Sequence, residues 1–110
     1  GSRDPLWQAP IEAVAERMRH HPGQPAQVAC AYLELMEPDL PTCVADMAGQ
    51  GVQAITIVPM FLGQGRHARE DLPKLVAALQ AQHPQLQFDL RPAIGEDLRV
   101  VDSLARLILS

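Results

Sequence analysis

The sequence has 110 residues, 47% of them hydrophobic, and a formal net charge of -4 at pH 7, which fits one domain over residues 1–110 with a core of its own. No apolar run approaches the roughly 20 residues of a membrane-spanning helix, and no signal-peptide pattern opens the chain. The negative charge argues against nucleic acid as a partner, because binding a phosphate backbone needs a net basic face.

The two cysteines, Cys30 and Cys43, have neither CxxC spacing nor a secretory context. We interpret them as small buried hydrophobic residues in a reducing compartment and predict a cytoplasmic protein.

Helical and strand patterns alternate along the chain. The first helix starts either at Asp4 and Pro5 or, because Pro10 would kink it, only near Pro10, and it ends near residues 20–23. The other predicted elements are a strand from Val28 to Leu35, a helix from Asp39 to residues 49–51, a strand from Ala54 to Val58, a helix from about Arg69 to Gln82, an edge strand from Leu86 to Leu90 and a closing helix from Leu98 to Ile108.

The stretch Ala54–Val58 is typical of a strand covered by helices on both faces, because Ile55, Ile57 and Val58 are all apolar. We therefore predict a three-layer α/β/α, flavodoxin-like fold with a mainly parallel sheet. In that fold the first strand lies inside the sheet, so a chain that begins with a helix is expected to lack it.

The strand from Ala54 ends at Pro59, which cannot donate to a ladder, and a loop with Gly63 and Gly65 follows. Ligands of open α/β sheets bind beyond the carboxyl ends of the strands, which predicts that His67 lies at the edge of such a crevice. From its spacing alone His67 could equally be an exposed loop residue or a neighbour of a helix N-cap. Glu34 and Glu37, at the end of the strand from Val28, point toward the same crevice. Alternatively, Glu34 is a solvated strand-end residue and Glu37 a turn residue before Pro38.

Three sequence blocks carry a family resemblance: residues 1–5 (GSRDP), residues 31–41 (AYLELMEPDLP) and residues 58–73 (VPMFLGQGRHAREDLP). In order and spacing they resemble the short CbiX/SirB-type sirohydrochlorin chelatases. The most specific part is the pattern P-x-F-L-x-x-G-x-H-x-x-x-D-L-P.

The resemblance implies a chelatase-like fold and a lyase that inserts Co²⁺, Ni²⁺ or Fe²⁺ into sirohydrochlorin without ATP, in cobalamin or siroheme biosynthesis, with no organic cofactor. His67 matches the second of the two histidines that the family uses. The first, which directly precedes the Gly-Ser pair in the family, has no counterpart in this sequence. The resemblance also implies a homodimer, because two short chains would replace one long relative with tandem domains.

Neutral imidazole suits these metal ions and can accept a proton near neutral pH, so His67 is the predicted metal ligand and base. Glu34 is the predicted second ligand or proton acceptor. Asp71 either orients His67 from four residues along a helix or serves only the helix start.

Guanidinium groups suit the acetate and propionate groups of the substrate. Arg3, Arg66 and Arg69 are the candidates, although a charge near a loop is often only solvated. Met60, Phe61 and Leu62 either lie against the flat macrocycle, fill the core or form a dimer interface. Two other functions stay open: a non-catalytic tetrapyrrole- or metal-binding module, and a structural subunit whose His67 loop makes a protein contact.

Overall fold

The computed structural model describes residues 8–23, 27–33, 36–63 and 65–110, with the backbone alone for residues 67 and 68. Its elements are α1 (Ala9–Arg19), α2 (Leu40–Gly49), β1 (Ala54–Ile57), α3 (Arg66–Gln82), β2 (Gln87–Leu90) and α4 (Leu98–Leu109), with a short 3-10 helix at Ile94–Glu96. The chain forms two compact units, Gly1–Gly51 and Val52–Ser110.

In the first unit, α1 begins at Ala9 with Pro10 in its first turn. A proline is tolerated there because the first N–H groups of a helix have no intrahelical partner. The later of the two predicted starts is therefore confirmed, while Asp4 and Pro5 lie outside the described residues.

The second helix begins as the sequence predicts. Asp39 is its N-cap, and its carboxylate accepts a hydrogen bond from the backbone N–H of Thr42 at 2.9 Å. The buried apolar residues of this unit are Ala15, Tyr32, Leu40 and Val44.

The predicted strand from Val28 to Leu35 is wrong for the part that the structure describes. Residues 27–31 have no regular structure, and Tyr32 makes a single parallel bridge with Asp39, through its N–H and the carbonyl of Pro38 at 2.9 Å. A strand is stable only when a neighbouring strand satisfies its backbone groups, and the described residues of this unit supply one bridge rather than a ladder.

The second unit contains a parallel two-stranded sheet. Ile55 pairs with Phe88 and Ile57 with Leu90, so both segments that were predicted as strands, Ala54–Val58 and Leu86–Leu90, contribute to it. The parallel α/β class is thus confirmed. Among the described residues of this unit, the buried apolar side chains include Ile55, Leu72, Val76, Leu79, Leu86 and Ala93.

The helices of this unit differ in how they use their apolar faces. α3 packs against β2 and continues through Pro73. α4 has Asp97 as its N-cap but leaves most of its apolar residues exposed, including Leu98 and Ile108. No helix in the described ranges is long and apolar enough to cross a membrane.

Candidate functional site

The loop that leaves β1 is tied by backbone hydrogen bonds to the segment that follows β2. Beyond the last ladder bond, from Arg91 N–H to the Ile57 carbonyl, Ile94 N–H donates to the Pro59 carbonyl and Gly95 N–H donates to the Phe61 carbonyl, each at 2.9 Å. Two connections that leave the same end of a parallel sheet are therefore held side by side. Sequence reasoning missed this contact, because it joins residues more than thirty positions apart.

The apolar residues of this loop are only partly covered. Pro59 is buried and Phe61 is half-buried, whereas the side chain of Met60 is 38% exposed and that of Leu62 is 74% exposed. The predicted core role therefore fails for Leu62. A flat apolar ligand or a second protein surface would remove this apolar area from water.

α3 begins at Arg66, three residues earlier than predicted, so His67 is the second residue of the helix rather than a loop residue. Arg69 N–H donates to the Gly65 carbonyl at 3.1 Å, which closes the first turn. The error arose because the predicted start followed the apolar stripe from Leu72 and ignored the turn before it. The imidazole of His67 lies outside the described part of the structure.

The start of α3 carries cations instead of the acidic residues that the helix dipole favours. Arg66 and Arg69 lie in or next to the first turn, which contains no acidic residue, and the N-cap Gly65 offers no side-chain acceptor to the first N–H groups. Backbone donors and guanidinium groups at one helix end form an environment that suits anions.

Two acidic residues follow on the same helix. Glu70 accepts a hydrogen bond from Nε of Arg66 at 3.3 Å, in a pair whose side chains are largely in solvent. This spacing of four residues is a signal that sequence reasoning missed. Asp71 is exposed and lies four residues after His67 on an unbroken helix, so the helical register that the predicted orienting role needs is present.

The other predicted site residues belong to the first unit. Arg3 and Glu34 lie outside the described residues, and Glu37 is exposed and joined to Pro38 by a cis peptide bond. Within the described ranges, no group of three or more His, Cys, Asp or Glu side chains is placed to hold a metal ion.

The first unit also holds a polar contact between α1 and the segment before α2. The hydroxyl of Tyr32 donates to Oε1 of Glu12 at 2.8 Å, and burial together with this bond raises the pKa of Tyr32 above its usual range.

Cys30 and Cys43 are half-buried rather than fully buried, and Cys30 lies outside any strand. Burial raises the pKa of both thiols, which favours the protonated form.

The arrangement is that of an α/β protein with connections gathered at the carboxyl end of a parallel sheet, and solved structures of this kind are similar to it. A CbiX protein from Marinobacter aquaeolei superposes with a TM-score of 0.83 at 36% identity, over 98% of this chain and 87% of that one. The sirohydrochlorin chelatase SirB from Bacillus subtilis subspecies spizizenii, in complex with cobalt, superposes with a TM-score of 0.79 at 30% identity, over 98% of this chain and 46% of that one.

The sequence comparisons define the family. The CbiX family model matches residues 1–110, and the chain belongs to the CbiX family. The sirohydrochlorin cobaltochelatase of Methanothermobacter thermautotrophicus is 30% identical over 76 residues, which are 69% of this chain and 52% of the relative. The sirohydrochlorin ferrochelatase of Bacillus subtilis is 30% identical over 104 residues, 94% of this chain and 40% of the relative. The chain thus spans about half or less of the length of these relatives.

Proposed function

We propose that this chain inserts a divalent metal ion into sirohydrochlorin, without ATP, in the biosynthesis of cobalamin or siroheme. The observation that carries the proposal is the match to the CbiX family over all 110 residues, together with relatives that are named as cobalt and iron chelatases of this tetrapyrrole. Co²⁺ and Fe²⁺ are the metal substrates of those relatives by name, and Ni²⁺ is a third candidate.

Metal insertion exchanges two pyrrole protons for one metal ion, so the site must hold the ion loosely and accept protons. In the proposal His67 does both, because neutral imidazole binds these ions and accepts a proton near neutral pH. Its backbone position supports this role, because the first turn of α3 follows the loop that leaves the carboxyl end of β1, where ligands of open α/β sheets bind. Glu34 is the proposed second ligand or proton acceptor.

The start of α3 also supports the proposed binding of substrate carboxylates. Arg66 and Arg69 are exposed beside backbone N–H groups that the side chain of the N-cap, Gly65, cannot cap. A substrate carboxylate at this helix end would therefore find both positive guanidinium groups and backbone hydrogen-bond donors. Arg3 is the third proposed partner. The exposed Met60 and Leu62, with Phe61, provide an apolar surface for the macrocycle.

The finer fold belongs to the same proposal. Residues 1–110 form one flavodoxin-like domain with a mainly parallel sheet. The backbone groups of Ala54 and Thr56 face away from β2, because Gln53 and Ile57 already bond toward β2 and alternate residues of a strand bond to opposite sides, so a further strand of such a sheet would pair with β1 there. We expect the reaction to take place in the cytoplasm.

The test of the proposed function replaces His67 by alanine and uses His21→Ala as a matched control. His21 is exposed, and the hydrogen bond of its ring nitrogen Nδ1 is local, to the carbonyl of the adjacent Pro22 at 2.8 Å. With sirohydrochlorin and Co²⁺, the absorbance change of metal insertion should disappear in His67→Ala and persist in His21→Ala, with unchanged circular dichroism for both. Undiminished insertion in His67→Ala would remove this residue from the mechanism. If the wild-type protein binds sirohydrochlorin without inserting metal, it is a binding module instead.

We also propose a homodimer, because the apolar residues Met60 and Leu62 are exposed on the loop after β1. A two-fold axis would repeat this loop around one flat substrate. The mass from light scattering at micromolar concentration should be that of two chains. A monomer that retains chelatase activity would disprove the dimer.

A further inference from the structure

Gly95 lies directly against the backbone of Leu62. A Cβ atom added to Gly95 would overlap the Leu62 carbonyl oxygen and Cα and would lie 2.5 Å from the Leu62 carbonyl carbon. Cβ atoms in real proteins essentially never approach another heavy atom closer than 3.0 Å. Its φ angle is outside the left-handed region, so lack of space and not backbone conformation requires glycine here.

This contact distinguishes Gly95 from the other glycines of the described residues. An added Cβ at Gly49, Gly63 or Gly65 would meet no atom within 4 Å. The atoms that block a Cβ at Gly95 are backbone atoms, so no rotation of a side chain can relieve the overlap.

The contact completes a three-point attachment of the loop after β1. Ile94 N–H donates a hydrogen bond to the Pro59 carbonyl, and Gly95 N–H donates one to the Phe61 carbonyl. The third point is the close contact of Gly95 with the backbone of Leu62. Beyond Leu62 the chain reaches the first residue of α3 after only three intervening positions. The attachment therefore sets where the loop delivers the start of that helix.

We propose that Gly95 is a positioning residue for the chelatase site, a role that rests on the proposed function. Gly95 fixes the backbone of Leu62, and Leu62 fixes the place at which Arg66 and His67 meet the substrate. A side chain at residue 95 would push the loop outward by on the order of 1 Å, and a displacement of that size can lower a rate by about 100-fold.

Gly95→Ala tests the proposal, with Gly49→Ala as the matched control, because the same methyl group meets no atom at Gly49. Gly95→Ala should lower kcat for cobalt insertion by about 10- to 100-fold and change KM less. Hydrogen exchange should become faster at the amides of Ile94 and Gly95, which donate to the loop carbonyls of Pro59 and Phe61, while the ladder amides between β1 and β2 remain protected. Gly49→Ala should match the wild-type protein in both measurements.

A second variant separates positioning from loss of folding. One glycine inserted after Gly63 leaves the Gly95 contact intact but lengthens the link to α3, so kcat should fall while the exchange of the Gly95 amide stays slow. Wild-type kcat in Gly95→Ala or in the insertion variant would overturn the proposal. If the wild-type protein inserts no metal, the proposed function fails, and the exchange data decide separately whether Gly95 holds the loop.

Discussion

Replacing the two arginines at the start of α3 by glutamine tests the proposed recognition of substrate carboxylates. The two arginines are not equivalent in the structure. The side chain of Arg66 is 88% exposed, and its Nε lies 3.3 Å from Oε1 of Glu70, whereas Arg69 is exposed and forms no ion pair with any described residue. Arg69 can therefore bind a substrate carboxylate directly, whereas Arg66 must first weaken its ion pair with Glu70.

The expected magnitudes follow from this difference. A solvent-exposed contact between an arginine and a carboxylate contributes about 1 kcal/mol at most, so Arg69→Gln should raise KM for sirohydrochlorin about fivefold. The pair with Glu70 is worth about 0.3–0.5 kcal/mol, so Arg66→Gln should raise KM only about threefold. Glu70→Gln releases Arg66 and should lower KM about twofold. The double variant should raise KM by about 15-fold, since the two effects add as free energies when the groups act independently.

The assay measures initial rates of cobalt insertion against sirohydrochlorin concentration at constant salt. Arg106→Gln is the matched control, because Arg106 is also an exposed arginine in an i,i+4 pair, with Asp102 at 3.1 Å. Loss of its charge should leave KM unchanged. The kcat values of all variants should also change little, because groups remote from the reacting atoms bind ground and transition states alike.

Two results would refute this reasoning. A loss in kcat with unchanged KM would place Arg66 and Arg69 in the chemical step rather than in substrate binding. An equal rise of KM in Arg106→Gln would show a general effect of net charge, and the start of α3 would then have no special role.

Two further predictions concern stability. Val44 is 1% exposed, so Val44→Ala loses about 1.6 kcal/mol of transfer free energy and about 0.5–1.5 kcal/mol for the cavity, against about 0.6 kcal/mol gained in helix propensity. The melting temperature should therefore fall by roughly 5–15 °C. Val14 is 43% exposed, so the control Val14→Ala should change the melting temperature by less than about 3 °C. The hydroxyl and N–H of Thr42 hold the pKa of Asp39 below its usual range, so the ionised carboxylate stabilises the folded state at pH values above the ordinary aspartate pKa. This contribution is lost as the pH falls through the pKa of Asp39 in the folded state. Asp39→Ala should therefore lower Tm at pH 7, and a difference in Tm from the wild type that stays constant down to pH 2 would contradict the capping role.

The sheet of the second unit was predictable because its information is local. Ile55 and Ile57 alternate with less buried residues, and Leu86, Phe88 and Leu90 do the same, so each strand reveals its buried face without its partner. The segment from Val28 has strand-forming composition too. Its structure depends on a neighbouring strand, however, and composition does not report whether one is present.

The sequence supplied a prediction of the residues of the candidate site but not of the geometry around them. The motif around His67 predicted a functional loop together with Arg66 and Arg69, which the structure places at the start of α3. The sequence could not show that Gly95 lies on Leu62, because that contact depends on the register between two connections that are distant in sequence. The sequence-based prediction also placed the start of α3 too late, because Arg66 and Glu70 lie outside the apolar stripe that guided it.

The cations at the start of α3 oppose the stability of that helix, which suggests that they serve binding instead. Cations near a helix N-terminus are unfavourable and anions favourable, each by about 0.3–1 kcal/mol. Arg69→Glu reverses the sign at the fourth residue of α3 and places a carboxylate three residues from Arg66, an attractive spacing. The variant should therefore unfold about 2–5 °C above the wild type, while its KM for sirohydrochlorin rises more than in Arg69→Gln because a like charge now faces the substrate. Calorimetry and the cobalt insertion assay measure the two effects separately. A variant that lost stability and kept its KM would show that Arg69 supports the fold and not the substrate.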